Sequence, residues 1–117
     1  MLDVSLGDKG EILAAQLLRK QKFVIVTKNY RCPIGEIDLI VSQGKVLYFI
    51  EVKTRSSTIF GRPAEAVNVA KQQKLRQLAL YYIAEKKYDG AISFGVVEVL
   101  YSPDKNKPEV NFIPEAF

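Results

Sequence analysis

The chain has 117 residues, 48% of them apolar and 26% charged, with a formal net charge of +4 and no histidine. That length buries a core as one domain without staples, and the missing histidine excludes a Ser-His or Cys-His catalytic pair within the chain. The single cysteine, Cys32, excludes an intramolecular disulfide and a cysteine-based zinc site, so acid–base chemistry falls to carboxylates, Lys, Tyr or an ion-activated water.

Residues 1–5 lack a basic segment followed by an apolar one, and no apolar run approaches the roughly 20 residues that span a bilayer. A cytoplasmic protein, away from the membrane, is expected. Residues 5–22 read as an amphipathic helix, because Leu6, Gly10, Leu13, Ala14, Leu17 and Leu18 recur at helical spacing and Ser5 suits an N-cap. Glu11 borders that apolar face, where it is either a solvated first-turn acid or a side chain looking across the sheet. Residues 23–28 are rich in β-branched side chains and read as a strand, followed by a loop over 29–35.

Two further strands carry the chemistry. Glu36-Ile37-Asp38-Leu39-Ile40-Val41 alternates acid and apolar before turning apolar, and Val46-Leu47-Tyr48-Phe49-Ile50-Glu51-Val52-Lys53 ends in acid, apolar, base. Strand side chains change face at each residue, so Glu36 and Asp38 are expected on one face, and Glu51 and Lys53 on one face. Ser42-Gln43-Gly44-Lys45 reads as a tight hairpin connection. With Val41 opposite Val46, Asp38 would sit across from Phe49 and Glu36 across from Glu51. Carboxylates converging in this way repel unless a proton or cation intervenes, and oxygen ligands suit a hard divalent ion such as Mg²⁺.

After a polar connection over 54–63, a long helix is expected over 64–87, with Val67, Ala70, Leu75, Leu78, Ala79 and Tyr82 as its apolar stripe. Lys71 and Lys74 lie within that stripe, where a cation snorkels, pairs with an acid or faces an anion-binding cleft. From Lys53 to Arg76 six basic residues stand against Glu65 alone, a local excess of +5 directly after the acids, as a phosphate footprint requires. Strands over 91–101 and 109–113, parted by a Pro-bearing turn, complete a mixed sheet flanked by helices, an α/β domain spanning 1–117 in the order α-β-β-β-α-β-β.

Asp38 followed after twelve residues by Glu51-x-Lys53 resembles the PD-(D/E)XK nuclease signature. Nearly the whole chain is similar to the YraN-like family of the restriction-endonuclease-like superfamily. The matching stretches are Gly7 to Glu11 with Ala14, Asn29-Tyr30-Arg31, Gly35-Glu36-Ile37-Asp38-Leu39-Ile40 and Phe49-Ile50-Glu51-Val52-Lys53-Thr54-Arg55. Phe60-Gly61-Arg62-Pro63, Glu65-Ala66-Val67, Lys71, Lys74-Leu75, Phe94 with Val96-Val97, and Ile113 to Phe117 continue it. The chain departs from its relatives at Ser93 and Gly95, where they carry Arg and Asp. Gln77 and Tyr81 echo a Gln-x-x-x-Tyr element of some related nucleases.

The resemblance implies a restriction-endonuclease-like fold and a metal-dependent endonuclease acting on DNA, structure-selective in the manner of Holliday-junction resolvases. Asp38, Glu51 and Lys53 would be catalytic. Asp38, Glu51, the Val52 carbonyl and either Glu11 or Glu36 would hold Mg²⁺ or Mn²⁺, with no small-molecule cofactor. Arg55, Arg62, Lys71 and Lys74 would grip DNA phosphates, fixing position without reading sequence. Action on a two-fold junction would favour a homodimer. The rival expectations are a non-catalytic nucleic-acid-binding module that keeps the fold, and a protein-interaction factor.

Overall fold

A computed structural model describes residues 6–56, 67–102 and 106–117. The element order is α1 (Leu6–Lys20), β1 (Val24–Cys32), β2 (Gly35–Gln43), β3 (Val46–Ser56), α2 (Val69–Lys86), β4 (Ala91–Tyr101) and β5 (Glu109–Ile113). This is the expected α-β-β-β-α-β-β layout. The five strands form one mixed sheet in sequential order, antiparallel except where α2 carries the chain across so that β4 runs parallel to β3.

Each helix lies over one face of the sheet. On one side α1 contributes Ala14, Ala15 and Leu18, which meet Phe23, Leu39, Val41, Ile50, Val97 and Val99. On the other, α2 buries Leu75, Leu78, Ala79 and Tyr82, a three-and-four spacing that lays one stripe against Ile37, Ile40, Leu47 and Phe49. Strand β3 is central, so both of its faces are covered, which is why Leu47, Phe49 and Ile50 read as a continuous apolar run.

Several boundaries differ from the sequence reading. The stretch expected as a loop over 29–35 is mostly strand. β1 continues to Cys32 and turns through Pro33-Ile34, with Cys32 opposite Gly35. It does so by a register shift between Ile25 and Thr27 and a left-handed Asn29 (φ 52°), a conformation that asparagine tolerates better than most residues. Helix α2 begins at Val69 rather than 64, because the Asn68 side chain caps it by accepting from the Lys71 N–H at 3.0 Å. Val67 is buried ahead of that helix, and Ala70, expected in the stripe, is exposed. Ser5 and Arg62 lie outside the described residues. Among the described residues no helix is long and apolar enough to cross a membrane.

Candidate active site at the fork between the second and third strands

The β2–β3 ladder runs from Gln43 opposite Val46 to Leu39 opposite Ile50, and there it ends. Beyond that point β2 continues against β1, down to Glu36 and Gly35, while β3 continues against β4 as far as Ser56. The two strands part, leaving a fork. Asp38 and Glu51 are the first residues past it, one on each arm. The observed register is two residues away from the one expected from Val41 opposite Val46: Val41 pairs with Tyr48, and past the last pair Asp38 is left facing Glu51, whose charge bears on it, instead of Phe49. A two-residue slip preserves the face of each side chain, so the acids still meet, with different partners.

Asp38 closes the fork with its side chain. Its Oδ2 accepts from the Val52 N–H at 2.8 Å, replacing the ladder bond that the parting strands no longer make. The N–H and C=O of one strand residue point the same way, so the Val52 carbonyl also faces this gap. Alternation along β2 breaks here. Ile37 and Ile40 pack on the α2 side and Leu39 and Val41 on the α1 side, so Glu36 and Asp38 do not simply share a face as expected.

The electrostatics follow from the convergence. Burial, then the Glu51 carboxylate, push the Asp38 carboxyl up to about 7, with Glu11 and Glu36 adding to the rise against the opposing Val52 hydrogen bond. Glu51 Oε1 pairs with Lys53 Nζ at 3.1 Å, both side chains partly sheltered at 27% and 18% exposure. Burial pulls the Lys53 ammonium down, but its hydrogen bond to Glu51 and the charges of Glu51 and Asp38 outweigh it, so its pKa is raised.

Glu11 arrives from the α1 side. Gly10 is buried, and a Cβ there would collide with the Thr54 hydroxyl. The bare glycine lets α1 settle on β3 immediately after Lys53, carrying Glu11 to the fork. Burial, then Asp8 and Glu36, raise its pKa, opposed by a hydrogen bond from Asn29. The Asn29 amide, with its nitrogen toward the acids, donates to Glu11 Oε1 at 2.9 Å and Glu36 Oε1 at 3.0 Å. Glu36 also accepts from Arg31 Nε at 3.1 Å. Asn29 therefore ties two carboxylates together at the α1 side of the fork. It stood only as a family match in a presumed loop; the signal available in the sequence was an asparagine that suits a left-handed position just ahead of an alternating strand.

The α2 side is basic. The Lys53 charge, then burial and the Arg55 charge, lower the Lys71 pKa. Glu36, Glu51, Lys71, Lys74, Leu75 and Leu78 line a cleft of about 210 Å³. Arg76, counted in the basic run, turns away from it and stacks on Phe94 (5.6 Å) and Phe117 (5.2 Å). Gln77 and Tyr81 line a separate apolar groove with Ile34, Leu80 and Ala84. The departures at Ser93 and Gly95 are absorbed by the C-terminal segment. Ser93 Oγ donates to the Pro114 carbonyl at 2.9 Å, and a Cβ on Gly95 would come within 2.8 Å of the Phe112 ring.

A hard divalent cation fits the chemistry of this donor set, since two half-sheltered carboxylates and a backbone carbonyl crowd one gap, where Asp38 is held against its charge. The carboxylates are not closed around a point: among the described residues no three acidic, histidine or cysteine side chains gather closely enough to enclose an ion. Mg²⁺ keeps several waters of its own, so two carboxylates suffice for it.

The family model for Uncharacterised protein family UPF0102 matches residues 10–99. A UPF0102 protein of Clostridium perfringens is 43% identical over 114 residues, covering 97% of this chain and 93% of its own length. A second, from Geotalea daltonii, is also 43% identical and covers 97% and 89%. A third, from Caldanaerobacter subterraneus subsp. tengcongensis, is 45% identical over 117 residues, covering 97% and 94%.

Proposed function

The chain belongs to the UPF0102 (YraN) family and so to the restriction-endonuclease-like superfamily, and from that membership joined to the geometry of the fork we propose that it is a divalent-metal-dependent endonuclease hydrolysing DNA phosphodiester bonds. The observation that carries this reading is the meeting of Asp38 and Glu51 past the end of the ladder, with the Asp38 carboxyl pushed up to about 7 and Lys53 at 3.1 Å from Glu51. An acid in that state gains from exchanging its proton for a cation.

Asp38, Glu51 and the Val52 carbonyl would hold Mg²⁺ or Mn²⁺, with Glu11 or Glu36 reaching it through water. Such an ion activates water as a nucleophile and stabilises charge growing on the phosphate. Lys53, kept charged by its neighbours, orients the attacking water and faces a non-bridging phosphate oxygen; a raised pKa suits positioning and charge stabilisation better than proton abstraction. Arg55, Lys71 and Lys74 grip the flanking backbone, as Arg62 would, and such contacts fix register without reading bases. With no base-reading element in the sequence, selection would rest on DNA shape, with branched junctions the leading substrate, and a homodimer would match a two-fold junction.

The test is a panel of labelled duplex, single-stranded, flap and junction DNAs incubated with Mg²⁺ or Mn²⁺, beside Asp38→Ala and Lys53→Ala. Cutting by the wild type that both folded variants lose supports the proposal; equal cutting by all three marks a contaminant and removes it. A second reading, a non-catalytic nucleic-acid-binding module, is favoured by the open arrangement of the carboxylates. It predicts salt-sensitive DNA binding and no cleavage with either metal.

A further inference from the structure

Helix α2 carries two stripes. Leu75, Leu78, Ala79 and Tyr82 are buried against the sheet. On the opposite side Ala70, Gln73, Gln77, Leu80 and Ala84 recur in alternating steps of three and four, the period of a helix-pairing seam. All of them are exposed and none is charged. Leu80 is 63% exposed and its neighbour Tyr81 43%. A lone exposed leucine is ordinary, but these two border a groove of about 450 Å³ that Gln77, Ala84 and, from the β1–β2 turn, Ile34 complete. The charges of α2 stand off the seam. Arg76 stacks on Phe94 and Phe117. Lys71 and Lys86 lie one turn before Leu75 and one turn after Tyr82, on the sheet side of the helix. Lys74 and Glu85 remain, in one row with Leu78 and Tyr81 along the flank that faces Ile34 and Gly35. Glu85 also bears on Tyr30, whose pKa burial and then that carboxylate raise.

We propose that this face of α2 docks a second copy of the chain, helix against antiparallel helix, about a two-fold axis that passes close to Leu80. A two-fold contact needs a self-complementary patch, and here the residues that line the groove also form its rim, so each copy offers Leu80 and Tyr81 to the other. Along the helix Lys74 lies about 9 Å to one side of Leu80 and Glu85 about 7.5 Å to the other. An antiparallel copy therefore brings Lys74 of each chain level with Glu85 of the other, twice, on one flank. A parallel copy would set like charges opposite. Such rim pairs select orientation, while the apolar contact supplies affinity. Gln73 and Gln77 within the seam fix register at a cost in stability. The seam is about 21 Å long, a smaller footprint than an interface of roughly 1,000 Å² requires, so the dimer forms reversibly as concentration rises. Strand β1 is the competing surface, an edge of the sheet with Val24 and Val26 exposed. Its register shift beside Val26 and its exposed Lys28 and Arg31 are devices that keep edges from pairing. A two-fold DNA junction would suit such a dimer, but the docking rests on the α2 face and not on the nuclease reading.

The experiment follows the full chain by sedimentation equilibrium as its concentration rises to about 1 mM. Wild type and Val26→Lys, on the β1 edge, are expected to pass from monomer to dimer alike. Leu80→Glu should weaken association about tenfold or more. Lys74→Glu and Glu85→Lys should each weaken it about threefold, and the double reversal should return it close to wild type. The first reversal lowers the net charge and the second raises it, so a loss in both cannot come from overall repulsion. These positions are exposed, and circular dichroism and Tm check that each variant folds. A wild type that stays monomeric throughout overturns the docking, as does a Leu80→Glu dimer as tight as wild type. Loss of the dimer in Val26→Lys would show β1 edges pairing instead and overturns it too. A double reversal as weak as either single one removes the antiparallel register. Cleavage is read separately by the DNA panel, so failure of the dimer and failure of the nuclease reading are distinct results.

Discussion

Replacing Asp38 by Asn should stabilise the metal-free protein, and the gain should depend on pH. Asparagine retains an oxygen to accept the Val52 N–H that Asp38 Oδ2 accepts at 2.8 Å, so the variant removes the charge and little else. The carboxyl rises from 3.8 to about 7 on folding, first through burial and then through Glu51. At about 1.4 kcal/mol for each tenfold change in proton affinity, ionised Asp38 costs the fold about 4 kcal/mol. Asp38 is only partly buried, and solvent screening reduces this to about 2 kcal/mol. The folded state holds this proton more tightly than the unfolded state, so the cost is absent below pH about 4, grows as pH rises from there, and is complete above about 7. For a domain of this size 2 kcal/mol corresponds to roughly 8 °C in Tm. Melting curves without metal should therefore place Asp38→Asn roughly 8 °C above wild type at pH 8 and level with it near pH 4. Added Mg²⁺ should raise the wild-type Tm at pH 8 and leave the variant unmoved. A variant no more stable than wild type at pH 8, or equally favoured at both pH values, would refute the claim that Asp38 is held against its charge.

The remaining predictions concern how the site is assembled. Gly10→Ala, which in an exposed helix would gain about 1 kcal/mol, should instead lose about 1–3 kcal/mol because the new methyl meets Thr54; Thr54→Ala should restore most of it in a double-mutant cycle, and a neutral Gly10→Ala would show that α1 does not rest there. Asn29→Gly keeps the left-handed backbone (φ 52°) but removes the amide donor, so the Glu11 pKa, already raised, should climb further in an NMR titration; an unmoved Glu11 counts against the bridge. Mg²⁺ affinity should increase about tenfold per pH unit on approach to about 7 and level off above it as Asp38 gives up its proton, whereas an affinity flat from pH 5.5 to 8 would remove Asp38 from the ligand set. Arg76→Ala should cost about 0.5–2 kcal/mol through lost stacking on Phe94 and Phe117 while leaving the salt dependence of DNA binding unchanged, and a shallower salt slope would return Arg76 to the phosphate-binding surface.

Much of the fold was legible from periodicity. The apolar stripes of both helices and the uninterrupted run of β3 are properties of local spacing, and they predicted the observed element order. The departure of β1 was hidden because Asn29-Tyr30-Arg31 looks like a loop by composition, yet Tyr30 and Arg31 pair with Ile37 and Glu36, and pairing is decided by the partner strand. The start of α2 shifted because Asn68, an ordinary polar residue in the sequence, becomes a cap only when its side chain meets the Lys71 N–H.

The sequence by itself determined that Glu51 and Lys53 share one face of a strand and that Asp38 lies on its neighbour, since side-chain alternation has a period of two and survives an even slip in register. What only the tertiary structure decided is where the two strands stop pairing, and hence that Asp38 meets Glu51 at an open fork. The approach of Glu11 over Gly10 and the Asn29 bridge were also decided there. These depend on how helices settle on a twisted sheet, a matter of packing between distant residues that no local spacing encodes.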